Sequence, residues 1–241
     1  MSDVKFTTET VENYLKAIYQ LSEGRDGAAA QNIAKQVGVS GPAVSKMLRH
    51  LERLGFVIYA PYREIRLTEV GRKVALEVIR HHRLIELYLM EGLGYGWDRV
   101  HAEAERLEHH ISEEFEDCIE KFLGSPSFDP HGDPIPTRDG RMEPTITTDL
   151  ESQEDGEWVV VRRVADEDAD LLRYLGERGI RPGTVMRLMG REPFGGSLQL
   201  QIDDRVEWLP CQGAQQVFVE TVIGHPNRID GNQCGTERLD H

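Results

Sequence analysis

Residues 30–55 constrain the fold most sharply. Ile33, Ala34 and Val37 make a short apolar face that stops at Gly38. Ser40 then stands as an N-cap, with Pro42 in the first turn, where its missing N–H costs nothing. From there Val44, Met47, Leu48, Leu51 and Leu54 point to one side as far as Gly55, while Ala43, Lys46, Arg49, His50 and Arg53 lie opposite. A short helix, a tight turn and a second helix with a basic outer face is the geometry that seats a helix in a major groove. Val11, Leu15, Ile18 and Leu21, at steps of four and three, predict an amphipathic helix in front of it. After Gly55 the run FVIYAPYREIRLT predicts two short strands around a turn with Tyr62 and Arg63 near its tip, which is a wing. The competing reading of this module is a helical unit used only for protein contacts.

Charge bears on that choice. The formal net charge of −14 is unfavourable for DNA, but it is unevenly spread. Residues 1–73 carry 11 Lys+Arg against 8 Asp+Glu, residues 74–124 carry 5 against 12, and residues 125–241 carry 12 against 22. Within 35–73, the bases Lys35, Lys46, Arg49, Arg53, Arg63, Arg66, Arg72 and Lys73 face only Glu52, Glu64 and Glu69. The field near a surface is set by nearby charges, so such a patch can meet phosphate on an acidic protein. Lys46 is the expected base reader, Ser40, Pro42 and Ala43 offer small hydroxyl or apolar contacts, and Arg49, Arg53, Arg63 and Arg66 face the backbone or minor groove.

The middle third concentrates metal-ligand chemistry. His81, His82, His101, His109 and His110 fall within thirty residues. One helix over 98–123 is predicted from the stripe Val100, Ala104, Leu107, Ile111, Phe115, Cys118 and Phe122. His101, Glu105 and Glu108 each follow a stripe residue by one position and form a parallel stripe, which His109 joins at i,i+4 from Glu105. On the preceding helix His82 and Glu86 share a face. Carboxylates flanking a core face need a cation or hydrogen-bond donors, so these sets can build one or two divalent sites. A solvated, salt-bridged helix is the alternative, and His81 and His110, off these faces, are expected at the surface.

Together these features resemble the diphtheria-toxin-repressor family of metal-dependent transcriptional repressors, in particular its manganese-responsive branch. The resemblance rests on ENYLKAIYQL (12–21), SGPAVSKMLRHLERLGF (40–56), RHHRLIELYL (80–89), VHAEAERLEHH (100–110) and PHGDPIP (130–136), and it covers roughly residues 5–137. It implies that His82, Glu86 and His101 ligate one metal position and Glu105, Glu108 and His109 another, with Glu105 or Glu108 able to bridge. The first-helix ligand position is Asn13, where the iron branch has Met and the manganese branch Asp, and Lys16 stands where the manganese branch can carry a Glu. Iron-responsive members use Cys at the position of Glu105. A carboxylate makes the site harder and favours Mn²⁺ over Fe²⁺, with Zn²⁺ or Co²⁺ able to bind in vitro.

Residues 158–164, 184–190, 197–202, 206–210 and 216–220 predict short strands, with a helix over 168–179. LGERGIRPGTVMRL resembles the SH3-like barrel of the longer family members. In some of those the barrel donates ligands, for which Asp166, Glu167 and Asp168 are candidates here, against the reading of a solvated turn. The expected architecture is mainly α with a small β domain. A winged helix-turn-helix occupies 1–73, a helical metal-binding and dimerisation domain 74–140, a linker 141–157, an SH3-like domain 158–222 and a disordered tail 223–241.

Three well-separated cysteines, no run of apolar residues long enough to span a bilayer and no basic-then-apolar start lead to the expectation of a soluble cytoplasmic chain. The expected function is a homodimeric repressor of metal-uptake genes on double-stranded DNA. An enzyme with a dinuclear site is the rival, but no separate acid, base or nucleophile motif accompanies the ligands. A regulator answering to an organic ligand and a metal buffer are the other rivals.

Overall fold

The first helix, α1 (Glu9–Ser22), starts where Thr8 Oγ1 accepts from Val11 N at 3.4 Å, in a computed structural model that describes residues 7–60 and 63–222. Its buried Val11, Leu15 and Ile18 pack with Ile33 of α2 (Ala30–Val37) and with Val44, Leu48 and Leu51 of α3 (Gly41–Arg53). α2 ends on Gly38 at φ 71°, a left-handed backbone that favours glycine. Ser40 has the extended backbone of an N-cap, but its side chain makes no capping hydrogen bond, so α3 starts on Pro42 and its apolar face alone. Strands β1 (Val57–Ile58) and β2 (Arg66–Leu67) pair antiparallel as the wing, and Ile65 bridges back to Ala28. Tyr62 lies outside the described residues, as does the predicted tail 223–241.

Helix α4 (Glu69–Leu93) is bolted to this module at its start. Thr68 Oγ1 accepts from Gly71 N at 3.1 Å and donates to Gly55 O at 2.7 Å. A Cβ on Gly71 would lie 2.0 Å from Phe56 O, so only glycine lets the helix approach that closely. α4 then continues to Gly94, well beyond the helix-turn-helix.

The single helix predicted over 98–123 is two: α5 (Val100–Leu107) and α6 (Glu113–Leu123). Ser112 Oγ accepts from Phe115 N at 3.2 Å, and Glu113, Glu114 and Glu116 crowd the first turn of α6. That is a helix start, which the unbroken apolar spacing across it concealed. The stripe is correspondingly divided. Val100 and Ala104 are buried with Leu84, Ile85 and Ile119, whereas Phe115 and Phe122 stay 45% and 62% exposed.

A buried ionic network holds α6 to α4. Arg80 Nε reaches Glu116 Oε1 at 2.5 Å, its Nη2 meets Glu120 Oε2 at 2.7 Å, and Nη1 donates to Pro136 O at 2.8 Å. His81 Nε2 stands 3.2 Å from Glu116 Oε2.

The second unit, Thr145–His241, is the small β domain. It comprises β3 (Trp158–Val164), α7 (Ala169–Glu177), β4 (Val185–Arg191), β5 (Leu198–Ile202), β6 (Arg205–Leu209), α8 (Cys211–Ala214) and β7 (Val217–Thr221). The strands form one antiparallel sheet in the order β6-β5-β4-β3-β7, with register shifts at Val161/Arg163 and Leu188/Gly190. Alternation puts Val159, Val161, Leu198, Leu200 and Ile202 inside, where Leu172 and Leu175 of α7 are also buried. Asp168 caps α7, accepting from Asp170 N and Leu171 N. Among the described residues no helix is long and apolar enough to cross a membrane.

Removing one partner of a buried ion network strands the other, so Glu116→Gln should cost about 3–5 kcal/mol, read in thermal or denaturant melts. Burial acts to raise the Glu116 carboxyl, but the hydrogen bonds with His81 and Arg80 hold it down at about 2. Its stabilising contribution is therefore present above the ordinary carboxylate pKa of about 4.3 and is lost as pH falls toward 2. The stability gap between wild type and variant should narrow across that window.

Candidate metal centre and nucleic-acid face

Helical periodicity delivers the ligand types to one place. His82 and Glu86 are one turn apart on α4, and His101 and Glu105 one turn apart on α5. Glu108 and His109 follow where α5 ends, and α1 presents Glu12, Asn13 and Lys16 to the same cluster. The structure thus gathers Asn13, His82, Glu86, His101, Glu105, Glu108 and His109, every residue predicted to ligate metal, into one continuous network.

On one side, His82 Nε2 lies 3.0 Å from Glu86 Oε1, and His101 Nδ1 lies 3.2 Å from the same oxygen and 3.1 Å from His82 Nε2. Glu86 Oε2 is fully buried and has no hydrogen-bond partner among the described residues, with His131 Nδ1 at 3.9 Å. Burial would raise the Glu86 carboxyl, but the His82 charge and the hydrogen bonds of His101 and His82 bring it well below the ordinary value. An ionised, buried oxygen without a donor, beside two imidazoles, fits a divalent cation.

On the other side, His82 Nδ1 meets Glu108 Oε2 at 2.5 Å. Burial opposes a charged His82, yet the Glu86 carboxylate and the hydrogen bonds to Glu108 and Glu86 outweigh it, and His82 is raised. Glu108, fully buried, is lowered: desolvation is overcome by the His82 hydrogen bond and the Lys16 charge. His109 Nε2 faces Asn13 Oδ1 at 2.8 Å and Glu108 Oε1 at 3.3 Å, while its Nδ1 donates to Glu12 Oε2 at 2.6 Å. Glu12, itself held by Thr7 Oγ1 at 2.7 Å, orients the His109 imidazole, the kind of partner a metal-ligating histidine needs.

Several residues stand elsewhere than the sequence predicts. His110 is exposed as expected, but His81 is buried, because α6 folds back over it, and its Nδ1 lies 3.2 Å from Glu108 O. His131, within PHGDPIP, is fully buried, stacked on Trp97 and hydrogen-bonded to Trp97 O at 2.8 Å. Its sequence signal was a histidine between two aspartates: Asp129 Oδ1 accepts from the backbone N of both His131 and Asp133, folding that loop inward. Glu12 gave none beyond its place next to Asn13.

On the nucleic-acid face, Ser40, Pro42, Ala43, Lys46, Arg49 and Arg53 are exposed along the start and outer side of α3, and Arg63 is exposed on the wing. Arg66 is not free as expected. Its Nη2 pairs with the Asp26 carboxylate and its Nε donates to Asp26 O at 2.7 Å, since the Ala28–Ile65 bridge brings the two together.

Residues 6–65 match the iron-dependent repressor N-terminal DNA-binding domain, residues 68–137 the iron-dependent repressor metal-binding and dimerisation domain, and residues 149–221 the FeoA domain. The iron-dependent repressor IdeR of Mycobacterium tuberculosis is 34% identical over 227 residues, covering 89% of this chain and 98% of that protein. A manganese-dependent transcriptional repressor in complex with manganese has a TM-score of 0.80 at 35% identity, covering 88% of this chain and all of that one. ScaR with bound Cd²⁺ has a TM-score of 0.74 at 32% identity, covering 88% of this chain and 99% of that one. Fold, cluster and relatives define a metal-dependent, DNA-binding transcriptional repressor. The chain belongs to the diphtheria-toxin-repressor family.

If His109 ligates a metal, Glu12 bears on it through the His109 Nδ1 contact. Glu12→Ala should therefore weaken metal affinity about 10–100-fold, with Glu12→Gln, which keeps an acceptor, in between. Isothermal titration with Mn²⁺ measures this, alongside circular dichroism to show that the fold is kept.

Proposed function

We propose that this chain is a homodimeric repressor switched on by Mn²⁺, acting in the cytoplasm on a near-palindromic operator that controls metal uptake. The observation that carries the reading is the double duty of α1. Val11, Leu15 and Ile18 sit in the helix-turn-helix core, while Glu12 and Asn13 touch His109, which belongs to the ligand cluster of α4 and α5. A divalent cation bound there would neutralise the carboxylates and tie α1 to both helices.

The residues have distinct roles in this reading. His82, Glu86 and His101 hold one metal position. Asn13, Glu105, Glu108 and His109 hold the other. With α1 tied down, the orientation of α3 relative to α4 is fixed, and Lys46 reads base edges while Arg49, Arg53 and Arg63 contact the phosphate backbone. The division at residue 73 between DNA-binding and dimerisation functions falls inside α4, so one continuous helix carries geometry across it. Phe115 and Phe122, exposed on α6 beside Tyr88, supply the apolar face for a symmetric dimer, which spaces two α3 helices about 34–36 Å apart on successive major grooves. The accessory domain takes in much of the expected linker 141–157, since Leu150 is buried in the second unit and its N donates to Val217 O at 2.8 Å.

The donor set consists of oxygen and nitrogen only, with Glu105 where a thiolate would have softened it, and this supports Mn²⁺. Fe²⁺ is the alternative, supported by relatives described as iron-dependent. Zn²⁺ or Co²⁺ would bind in vitro by the ordinary affinity order.

Fluorescence anisotropy at fixed salt, on a duplex selected from random DNA by the metal-loaded protein, tests the reading. Binding should require metal, respond at lower Mn²⁺ than anaerobic Fe²⁺, and lose its metal dependence in Glu105→Ala/His109→Ala. Lys46→Ala should cost about 1–3 kcal/mol on the selected site and little on a scrambled duplex. Equal binding with and without metal would sink it.

A further inference from the structure

Among the groups that converge on the cluster, one is not a metal ligand of any kind. Lys16 is nearly buried, its side chain 8% exposed. Its Nζ lies 2.7 Å from Glu105 Oε1, 2.8 and 3.1 Å from the two oxygens of Glu108, and 3.3 Å from His82 Nδ1. All of these atoms belong to residues assigned above as ligands. The ammonium spends its donors on lone pairs that a metal would use, and it places a fixed positive charge where a second cation would stand.

We propose that Lys16 is a tethered competitor for the Glu105/Glu108 metal position, and that it sets the metal concentration at which that position fills. The inference rests on the metal-site reading above. A carboxylate as deeply buried as Glu108 requires a cation, and Lys16 supplies it from within the chain. Metal entering between Glu105 and Glu108 must first displace the ammonium, so the intrinsic affinity of those oxygens is reduced by the cost of moving it. The chain provides somewhere to go. A cleft of about 240 Å³ lined by Asn13, Ala17, Gln20, Gln36, Val37 and Glu105 opens beside Lys16, and it holds the Gln20 and Gln36 amides, where Gln36 Nε2 donates to Gln20 Oε1 at 2.7 Å. The position on His82, Glu86 and His101 meets Lys16 only at His82 Nδ1, 3.3 Å away, and Glu86 Oε2 has no hydrogen-bond partner to lose. The two positions therefore load in order, His82/Glu86/His101 first and Glu105/Glu108 at higher metal.

The experiment is Mn²⁺ titration by calorimetry and equilibrium dialysis on the full chain and on Lys16→Met, Lys16→Gln and Lys16→Arg, with thermal melts in EDTA and in Mn²⁺. Wild type should bind in two separated steps. Lys16→Met and Lys16→Gln should tighten the weaker step by about tenfold or more, while Lys16→Arg, which keeps the charge, stays near wild type. In EDTA the neutral variants should melt below wild type, and Mn²⁺ should raise their Tm by more. If a neutral variant does not fold in EDTA, folding on Mn²⁺ addition reports the same exchange of cations. Unchanged or weaker binding in both neutral variants, or equal tightening in Lys16→Arg, overturns the role of Lys16. Failure of every form, wild type included, to bind metal overturns the metal-site reading itself.

Discussion

Glu86 and Glu108 are fully buried, and Glu12 nearly so, at the junction of α1, α4 and the end of α5. Carboxylates cannot stay ionised in such a place without compensating charge or donors. That requirement organises the first unit. His82 bridges Glu86 and Glu108, His109 bridges Glu12, Asn13 and Glu108, and Lys16 closes the set. Three helices are held together by polar groups that satisfy one another across the junction. A hydrophobic junction of the same size would have been stable and indifferent to metal. This one depends on every member of the network being in place, because each buried charge is balanced by its neighbours.

The response has a short mechanical route. α1 is a core element of the helix-turn-helix, through Leu15 and Ile18, and a wall of the cluster, through Glu12, Asn13 and Lys16. α4 is likewise shared: Gly71 lets its first turn close on Phe56, and its later turns carry His82 and Glu86. His81 adds a second connection, from Glu108 O to Glu116, so the cluster is also linked to α6 and its exposed Phe115 and Phe122. Changes in the cluster thus bear on both the DNA-facing helix and the apolar face of α6 without a long chain of intermediates. Metal and DNA that stabilise the same arrangement must strengthen each other's binding.

Much of this was legible in the sequence because local rules agreed with tertiary need. The helix-turn-helix follows from Gly38, Pro42 and the spacing of Val44, Leu48 and Leu51, and the five strands of the second unit from their short apolar runs. The ligand types followed from i,i+4 pairs, which geometry places on one helix face. What failed was long-range. The break at Ser112 is masked by apolar spacing that continues across it, and it divides the stripe into a buried part, Val100 and Ala104, and an exposed part, Phe115 and Phe122. His81 was read as a surface residue because nothing in its neighbourhood indicates that Glu116, 35 residues later, returns to cover it. Glu12 and His131 come beside the predicted ligands only once α1 and the Asp129–Asp133 loop are placed against α4 and α5. Charge on a buried helix face reads as solvent-exposed until the partner of opposite charge is known.

Lys16 shows how a single position carries both kinds of information. The sequence places it where the manganese branch can carry a Glu ligand, and it is among the buried residues of α1. Its burial makes sense only beside Glu105 and Glu108, to which it brings the one charge type that carboxylates and metal ions compete for. The same logic applies at the scale of the chain. A net charge of −14 coexists with an exposed basic face on α3 because acidic residues are gathered where they face a cation or solvent and are sparse where phosphate would approach. In this protein, the distribution of carboxylates matters more than their number. Those held inside the cluster lie against Lys16 and the histidines, while α3 keeps Lys46, Arg49 and Arg53 exposed.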